Sequence, residues 1–435
     1  MKKIFFLIAF ISMFYGHAQE NKHVILISID GLRPEFYMQK DWNTPSLKRL
    51  MSEGVYANGI NSVFPSVTYP SHTTLITGAF PKEHGIFFNV PRDSKNNHWN
   101  WEANRIKTET LWDATNKKGL VTGAVMWPVS VGAPITYNFP VRRADDSEKA
   151  NQFTITEPLV SPENLVSEMQ KEGVLTSKKP FDHNEVDNSI GSMACYILKK
   201  YKPSFLAVHF LGADHSEHIY GRDDKNVHEV VENIDAEIGR LIALIREENM
   251  LDKTTVIVTG DHGFVDVSQA FAPNILLKQM GLITENGWKA KFETAGGSAF
   301  LYLKDEKYLP QIKSMLANLP KEQKEVFRII NRKELDEIGA DPDAALALAL
   351  NKGFSASSTT SGAVLKKRNP GGTHGYFPDS KEIQTGFIIW GAEAGSHTEI
   401  MNMGIQDIAP IISKILDLDF ESKDGVLHKE ILKEN

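Results

Sequence analysis

Three apolar runs in this chain stop at an aspartate or within three residues of one, and that coincidence limits the possible fold more than any other feature. Residues 23–30 read HVILISID and are followed by Gly31. Residues 203–211 read PSFLAVHFL and are followed by Gly212, Ala213 and Asp214. Residues 254–259 read TTVIVT and are followed by Gly260, Asp261, His262 and Gly263. A β-branched run without polar alternation is a strand covered on both faces, as in a parallel sheet. Two more runs, 119–126 (GLVTGAVM) and 384–390 (QTGFIIW), read the same way. Helical patterns lie between them. In 46–53, Leu47, Leu50 and Met51 share a face. In 226–249, Val227, Val231, Ile234, Ile238, Leu241 and Ile245 recur at three- and four-residue intervals. Strands alternating with helices predict an α/β doubly wound sheet, mostly parallel, with right-handed crossovers and helices on both faces. Ligands in such sheets bind beyond the carboxyl ends of the strands. Asp30, Asp214 and Asp261 are therefore expected on one edge.

Histidines accompany these acids. His218 follows Asp214 by four residues, His262 adjoins Asp261, and His374 sits in GGTHGY ahead of the last run. Each taken singly reads as a strand-end turn or a solvated histidine. All of them at carboxyl ends is a poor fit to turns alone. Aspartate, histidine and a hydroxyl, without cysteine, make a ligand set for zinc or a similar divalent ion. The hydroxyl is found in 64–86, FPSVTYPSHTTLITGAFPKEHGI. There Pro70 suits the opening of a helix, Ser71 its cap and Gly78 its end. Thr68 would sit before free backbone N–H groups and the positive end of the dipole, where an alkoxide or phosphoryl oxygen is stabilised. The alternative reading is a capped surface helix.

Residues 1–18, MKKIFFLIAFISMFYGHA, read as a secretory signal peptide. Their apolar core is shorter than the roughly 20 residues that span a bilayer. No cysteine follows the cleavage region directly, so a lipid anchor is not indicated, and no transmembrane anchor is expected after cleavage. Loss of the leader's two lysines takes the formal net charge from −7 to −9. That balance argues against a stable nucleic-acid complex or an anionic membrane surface. Cys195 is the only cysteine, which excludes an intramolecular disulfide. The expectation is an exported protein, periplasmic or extracellular. One catalytic domain would span 19–432, with an inserted α+β subdomain at about 273–370, a stretch that holds no candidate ligand.

Taken in order, these motifs resemble the nucleotide pyrophosphatase/phosphodiesterase family of the alkaline phosphatase superfamily. The likeness runs through Asp30-Gly31, Thr68-Tyr69-Pro70-Ser71-His72, His84-Gly85-Ile86 with Asn89, and Trp127-Pro128. It continues through Asp214 with His218, Asp261-His262-Gly263 and His374-Gly375-Tyr376. The resemblance implies an alkaline-phosphatase-like fold and two zinc ions, one on Asp30, Thr68, Asp261 and His262 and the other on Asp214, His218 and His374. It implies Thr68 as nucleophile through a phosphothreonine intermediate, with the Asn89 amide on a phosphoryl oxygen. It further implies a small-molecule phosphodiester or nucleotide substrate whose base stacks on Tyr69 and, by similarity, Tyr137. Coordination to zinc is what would make a threonine hydroxyl nucleophilic at neutral pH.

One departure is Ser71, where family members commonly carry Asn. The competing readings share the core. An alkaline phosphomonoesterase would need extra cations for a dianionic phosphate. The Lys-x-Arg pair of related monoesterases is missing between Trp127 and Asn151, although Arg142-Arg143 lies there. A phosphonoacetate-type hydrolase has a similar ligand order but fits the leader and Trp127-Pro128 less well. A sulfatase would need a nucleophile motif that Cys195 lacks. A non-catalytic exported metal-binding protein would have lost a ligand or the nucleophile, and none is missing.

Overall fold

The computed structural model describes residues 22–149, 151–175 and 185–433, so the leader expected over 1–18 lies outside the described residues. The central sheet has eight strands: β1 His23–Ile29, β2 Val55–Ile60, β3 Thr122–Val125, β4 Tyr137–Phe139, β5 Phe205–Phe210, β6 Thr254–Thr259, β7 Thr385–Gly391 and β8 Thr398–Ile400. Their spatial order is β8-β2-β7-β6-β1-β5-β3-β4. β1 runs parallel to β5 and β6, β3 to β5 and β4, and β8 to β2. β7 alone opposes its neighbours, β2 and β6. Every residue of β1, β5 and β6 is buried, as their unbroken apolar runs require.

The helices that cover the sheet are α1 Pro45–Glu53, α2 Thr68–Thr77, α3 Leu111–Lys117, α4 Val186–Tyr201, α5 Gly212–Tyr220, α6 Lys225–Glu247 and α7 Ile408–Leu416. Strand alternation sorts them into two layers. Ile25, Ile27 and Ile29 of β1 pack with Leu47, Leu50, Ile190, Ile197, Ile234 and Leu241, which come from α1, α4 and α6. Val24 and Leu26 face the opposite way, onto Leu75, Ile76, Leu111, Ile408 and Ile412 from α2, α3 and α7.

Beyond β6 the chain builds a second region with its own apolar cluster, including Phe271, Leu277, Phe292, Leu301, Ile312 and Leu348. An antiparallel sheet joins Ala290–Ala295, Ser298–Leu303, Leu346–Leu350 and Phe327–Ile330 in that spatial order. A three-stranded sheet places Val265–Phe271 between Gly353–Ala356 and Leu365–Thr373. Leu365–Thr373 runs antiparallel to Val265–Phe271, so Thr373 pairs with Val265 and His374 returns beside the end of β6. Among the described residues no helix is long and apolar enough to cross a membrane.

Candidate active site

The ends of β1, β5 and β6 bring their acids together. Asp30 directly follows β1, Asp214 lies in the first turn of α5, and Asp261 is two residues past β6. The turn after β1 needs Gly31, whose φ is +75° and whose added Cβ would stand 2.8 Å from Glu217 Oε2. The Gly31 N–H donates to Asp261 Oδ1 at 3.1 Å, tying two strand ends together. Ligand-type atoms of Asp214, His218 and His374 lie within 4.8 Å of one another, as do those of Asp30, Asp214 and His262. Asp261 Oδ2 is 3.2 Å from His262 Nε2, and Asp214 Oδ1 is 3.3 Å from His218 Nε2 and 3.5 Å from His374 Nε2. Asp214 thus belongs to both groups.

The three histidines are oriented alike. His218 Nδ1 is 3.1 Å from the Gly372 carbonyl, His262 Nδ1 3.2 Å from that of Gly263, and His374 Nδ1 3.0 Å from that of Ser66. A carbonyl can only accept, so each Nδ1 carries a proton and each Nε2 faces the acids. Burial, together with neighbouring imidazoles, depresses His374 to about 3 and His262 to about 4, which keeps both neutral. Burial also opposes charge on His218, but Asp214 beside it wins and lifts it to about 9. The same contact holds Asp214 below the ordinary carboxylate range against the effect of burial. Asp30 and Asp261 are raised, chiefly by burial, and for Asp30 also by the like charges of Asp261 and Asp214.

Asp30 Oδ1, Asp214 Oδ1, Asp261 Oδ2 and His262 Nε2 are buried without a hydrogen-bond partner. Unpartnered buried polar atoms are expensive. Four of them converging, with neutral imidazole lone pairs aimed at the same place, fit divalent cations.

Thr68 opens α2, preceded by Val67 in extended conformation at the N-cap. The helix starts earlier than Pro70 and Ser71 predict, and all ten of its residues are buried, so it is not a surface helix. Ser71 does not cap it. Its hydroxyl bonds back to the Val67 carbonyl at 2.9 Å and meets Ser62 Oγ at 3.1 Å, and Ser62 in turn donates to the Asp261 carbonyl at 2.5 Å. A serine one turn inside a helix has that i−4 carbonyl within reach. His84, part of the HGI motif, braces the same helix through Thr74 Oγ1 at 3.0 Å.

Thr68, Tyr69, Asn89, Asp30, Asp214, His218 and His374 line one cavity of ≈370 Å³. Asn89 Oδ1 accepts the Tyr69 N–H at 2.9 Å, which leaves the Asn89 Nδ2 donors for a ligand. Asp261 and His262 lie behind, fully buried. Tyr137 is not among the lining residues. It lies in the edge strand β4, stacked on Tyr201 with 3.7 Å between centroids. The aromatic wall beside Tyr69 is instead Trp99 and Trp101, and Arg143 also lines the cavity. Two further histidines support the acids. His209 Nε2 is 3.2 Å from Asp30 Oδ2, and His72 Nδ1 is 2.8 Å from the Thr68 carbonyl and 3.6 Å from Asp261 Oδ2.

The model of the family described as type I phosphodiesterase / nucleotide pyrophosphatase matches residues 24–377. Among curated proteins, the chain is 26% identical over 251 residues to a bis(5'-adenosyl)-triphosphatase enpp4 of Xenopus laevis, covering 56% of this chain and 48% of that one. It is 24% identical over 263 residues to ectonucleotide pyrophosphatase/phosphodiesterase family member 7 of Mus musculus, covering 58% and 52%. The chain therefore spans about half the length of these curated relatives. A solved structure of murine ectonucleotide pyrophosphatase / phosphodiesterase 5, an inactive form in complex with AMP, superposes with a TM-score of 0.69 at 19% identity, covering 95% of this chain and 100% of that one.

Proposed function

The chain belongs to the type I phosphodiesterase/nucleotide pyrophosphatase family, and from that premise we propose that it is an exported hydrolase of phosphodiester or pyrophosphate bonds in nucleotide-like small molecules. The observation that carries the reading is the set of four buried, unpartnered ligand atoms on Asp30, Asp214, Asp261 and His262, beside a cavity lined by Thr68 and Asn89. Two zinc ions are the proposed occupants, one on Asp30, Thr68, Asp261 and His262 and one on Asp214, His218 and His374. When bound, they supply positive charge that lowers the pKa of a hydroxyl or water and offsets charge on phosphoryl oxygens.

The residues then divide the work. Thr68 Oγ1 bonds to phosphorus, the bond from phosphorus to the leaving oxygen breaks, and that oxygen keeps the electron pair and takes up the threonine's proton. Water next attacks the phosphothreonine, Thr68 recovers its oxygen and a proton, and phosphate or a phosphomonoester leaves. The Asn89 amide, held by its bond to the Tyr69 N–H, points its donors at a non-bridging oxygen. Tyr69, with Trp99 and Trp101, offers apolar faces for the organic group.

An alkaline phosphomonoesterase on the same core would need paired cations at the phosphate. Arg142 is engaged by Glu148 at 2.8 and 2.9 Å, which leaves Arg143 as the one arginine or lysine lining the cavity among the described residues. The deciding assay compares bis(p-nitrophenyl) phosphate with p-nitrophenyl phosphate, each with chelator and with zinc restored. A diester preference that chelator abolishes and zinc restores is the expected result, as is loss of turnover in Thr68→Ala with metal content retained. A monoester preference, or wild-type rates in Thr68→Ala, would overturn the assignment.

A further inference from the structure

Arg143 is a cation in the cavity to which the proposed hydrolysis gives no task. Its guanidinium lies 3.8 Å from the centroid of Trp99. Trp99 stacks on Trp101 at 5.7 Å with 12° between planes and meets Tyr69 edge-on at 5.2 Å. The cation thus lies over the face of an aromatic wall, where cation–π attraction favours it. The adjacent Arg142 shows what a neutralised guanidinium looks like here, gripped by both oxygens of Glu148. Among the described residues no carboxylate lies within ion-pair distance of Arg143. Arg143 is exposed on the cavity wall, so its charge is available to an anion that enters from solvent. Its fork of N–H donors matches a phosphate or carboxylate with two parallel bonds.

Thr68 and Asn89 are assigned to the scissile phosphoryl group, whereas Arg143 is held on the wall that receives the organic group. We propose that Arg143 is the specificity-determining residue for a second anionic group carried on the nucleoside half of the substrate, such as a sugar phosphate. The enzyme then prefers phosphorylated nucleotides to simple ones. This rests on the phosphodiesterase reading of the cavity.

The test is calorimetric binding to zinc-loaded Thr68→Ala protein, which does not depend on turnover. The ligands are AMP, adenosine 2′,5′-bisphosphate, adenosine 3′,5′-bisphosphate and ADP. A charge-assisted bidentate contact predicts that one of the bisphosphates binds at least about tenfold more tightly than AMP. Adding Arg143→Gln, or Arg143→Met to keep the packing on Trp99, brings that ratio to about one. Equal affinities for AMP and both bisphosphates, or a ratio that survives both substitutions, would overturn the proposal. So would a result in which only the advantage of ADP over AMP collapses, since Arg143 would then read the phosphoryl chain. Discrimination between ligands in a protein that hydrolyses neither p-nitrophenyl ester would keep Arg143's role and sink the hydrolase reading. Hydrolysis without discrimination would do the reverse.

Discussion

Replacing Asp30 with asparagine should stabilise or spare the chelated protein and destabilise the zinc-loaded one. Asp30 is buried at the end of β1, with Oδ1 unpartnered and Oδ2 3.2 Å from His209 Nε2. In the absence of cations its charge is opposed by burial and by Asp261 and Asp214. An isosteric amide removes that charge and still offers His209 an acceptor, so nothing favourable is lost. With zinc the sign reverses. A ligand at a thousandfold excess over its Kd adds about 4 kcal/mol to the folded state. Unfolding entropy of roughly 2.1 cal/mol/K per residue gives about 0.9 kcal/mol/K for a chain of this length. Each occupied site should therefore raise Tm by about 5 °C. Scanning calorimetry in zinc and in EDTA reads this directly. The wild-type chain should move by about 10 °C between the two conditions, and Asp30→Asn by about half that, with an unchanged or higher Tm in EDTA. A wild-type Tm indifferent to EDTA would mean that the buried acids do not hold cations. An Asp30→Asn Tm that falls in EDTA would mean that Asp30 serves the fold through His209 rather than a metal.

Asn89→Asp keeps the acceptor for the Tyr69 N–H but turns the cavity-facing donor into an anionic oxygen. The expected loss in kcat is about 10²–10³-fold with zinc content unchanged, and a loss below threefold would remove Asn89 from the phosphoryl site. Asp187, buried and accepting from Leu211 N at 2.9 Å and Gly212 N at 3.4 Å, is lifted by burial to about 6. An acid raised in the folded state binds more protons there than in the unfolded chain. Its destabilising effect is thus complete above about pH 6 and vanishes below about pH 4. Asp187→Asn should add about 3 kcal/mol of stability at pH 7.5 and almost none at pH 4. Equal gains in urea unfolding at the two pH values would refute the assignment.

Strand ends were the most legible part of this chain because a strand buried on both faces leaves a continuous apolar run, and the residues after such a run must turn at the sheet edge. The sequence places Asp30 and Asp261 there, and both are there in the structure. The side walls of the cavity were not legible in that way. Trp99 and Trp101 sit in an irregular segment with no period to read, and they face the cavity only because 98–101 folds back onto Tyr69. Tyr137 is suitable by type and approximate position. Strand alternation instead sets it on Tyr201 at the outer edge of the sheet. His209 did carry a signal that periodicity alone passes over. It is the one ionisable residue inside the run FLAVHF, and a polar side chain in a fully buried strand needs a specific partner, here Asp30. Ser71 departs from its expected capping role because a helix-capping residue and a serine bonding back inside a helix differ only in where the helix starts.

The charge balance of the cavity also orders the steps that the chelator assay will report. Asp30, Asp214 and Asp261 stand against His262 and His374, both neutral near pH 7, with cationic His218 and Arg143 as partial compensation. A phosphodiester is itself an anion. Without cations it would approach carboxylates through a water-poor space, where like charges repel more strongly than in solvent. Divalent ions on the acids would reverse the sign of the floor of the cavity, and only then would Asn89 and Arg143 meet the anion as additional donors rather than as isolated ones. Loss of metal should therefore weaken substrate binding as well as turnover. A chelated protein that bound AMP with undiminished affinity would show that the aromatic wall and Arg143 hold the ligand by themselves.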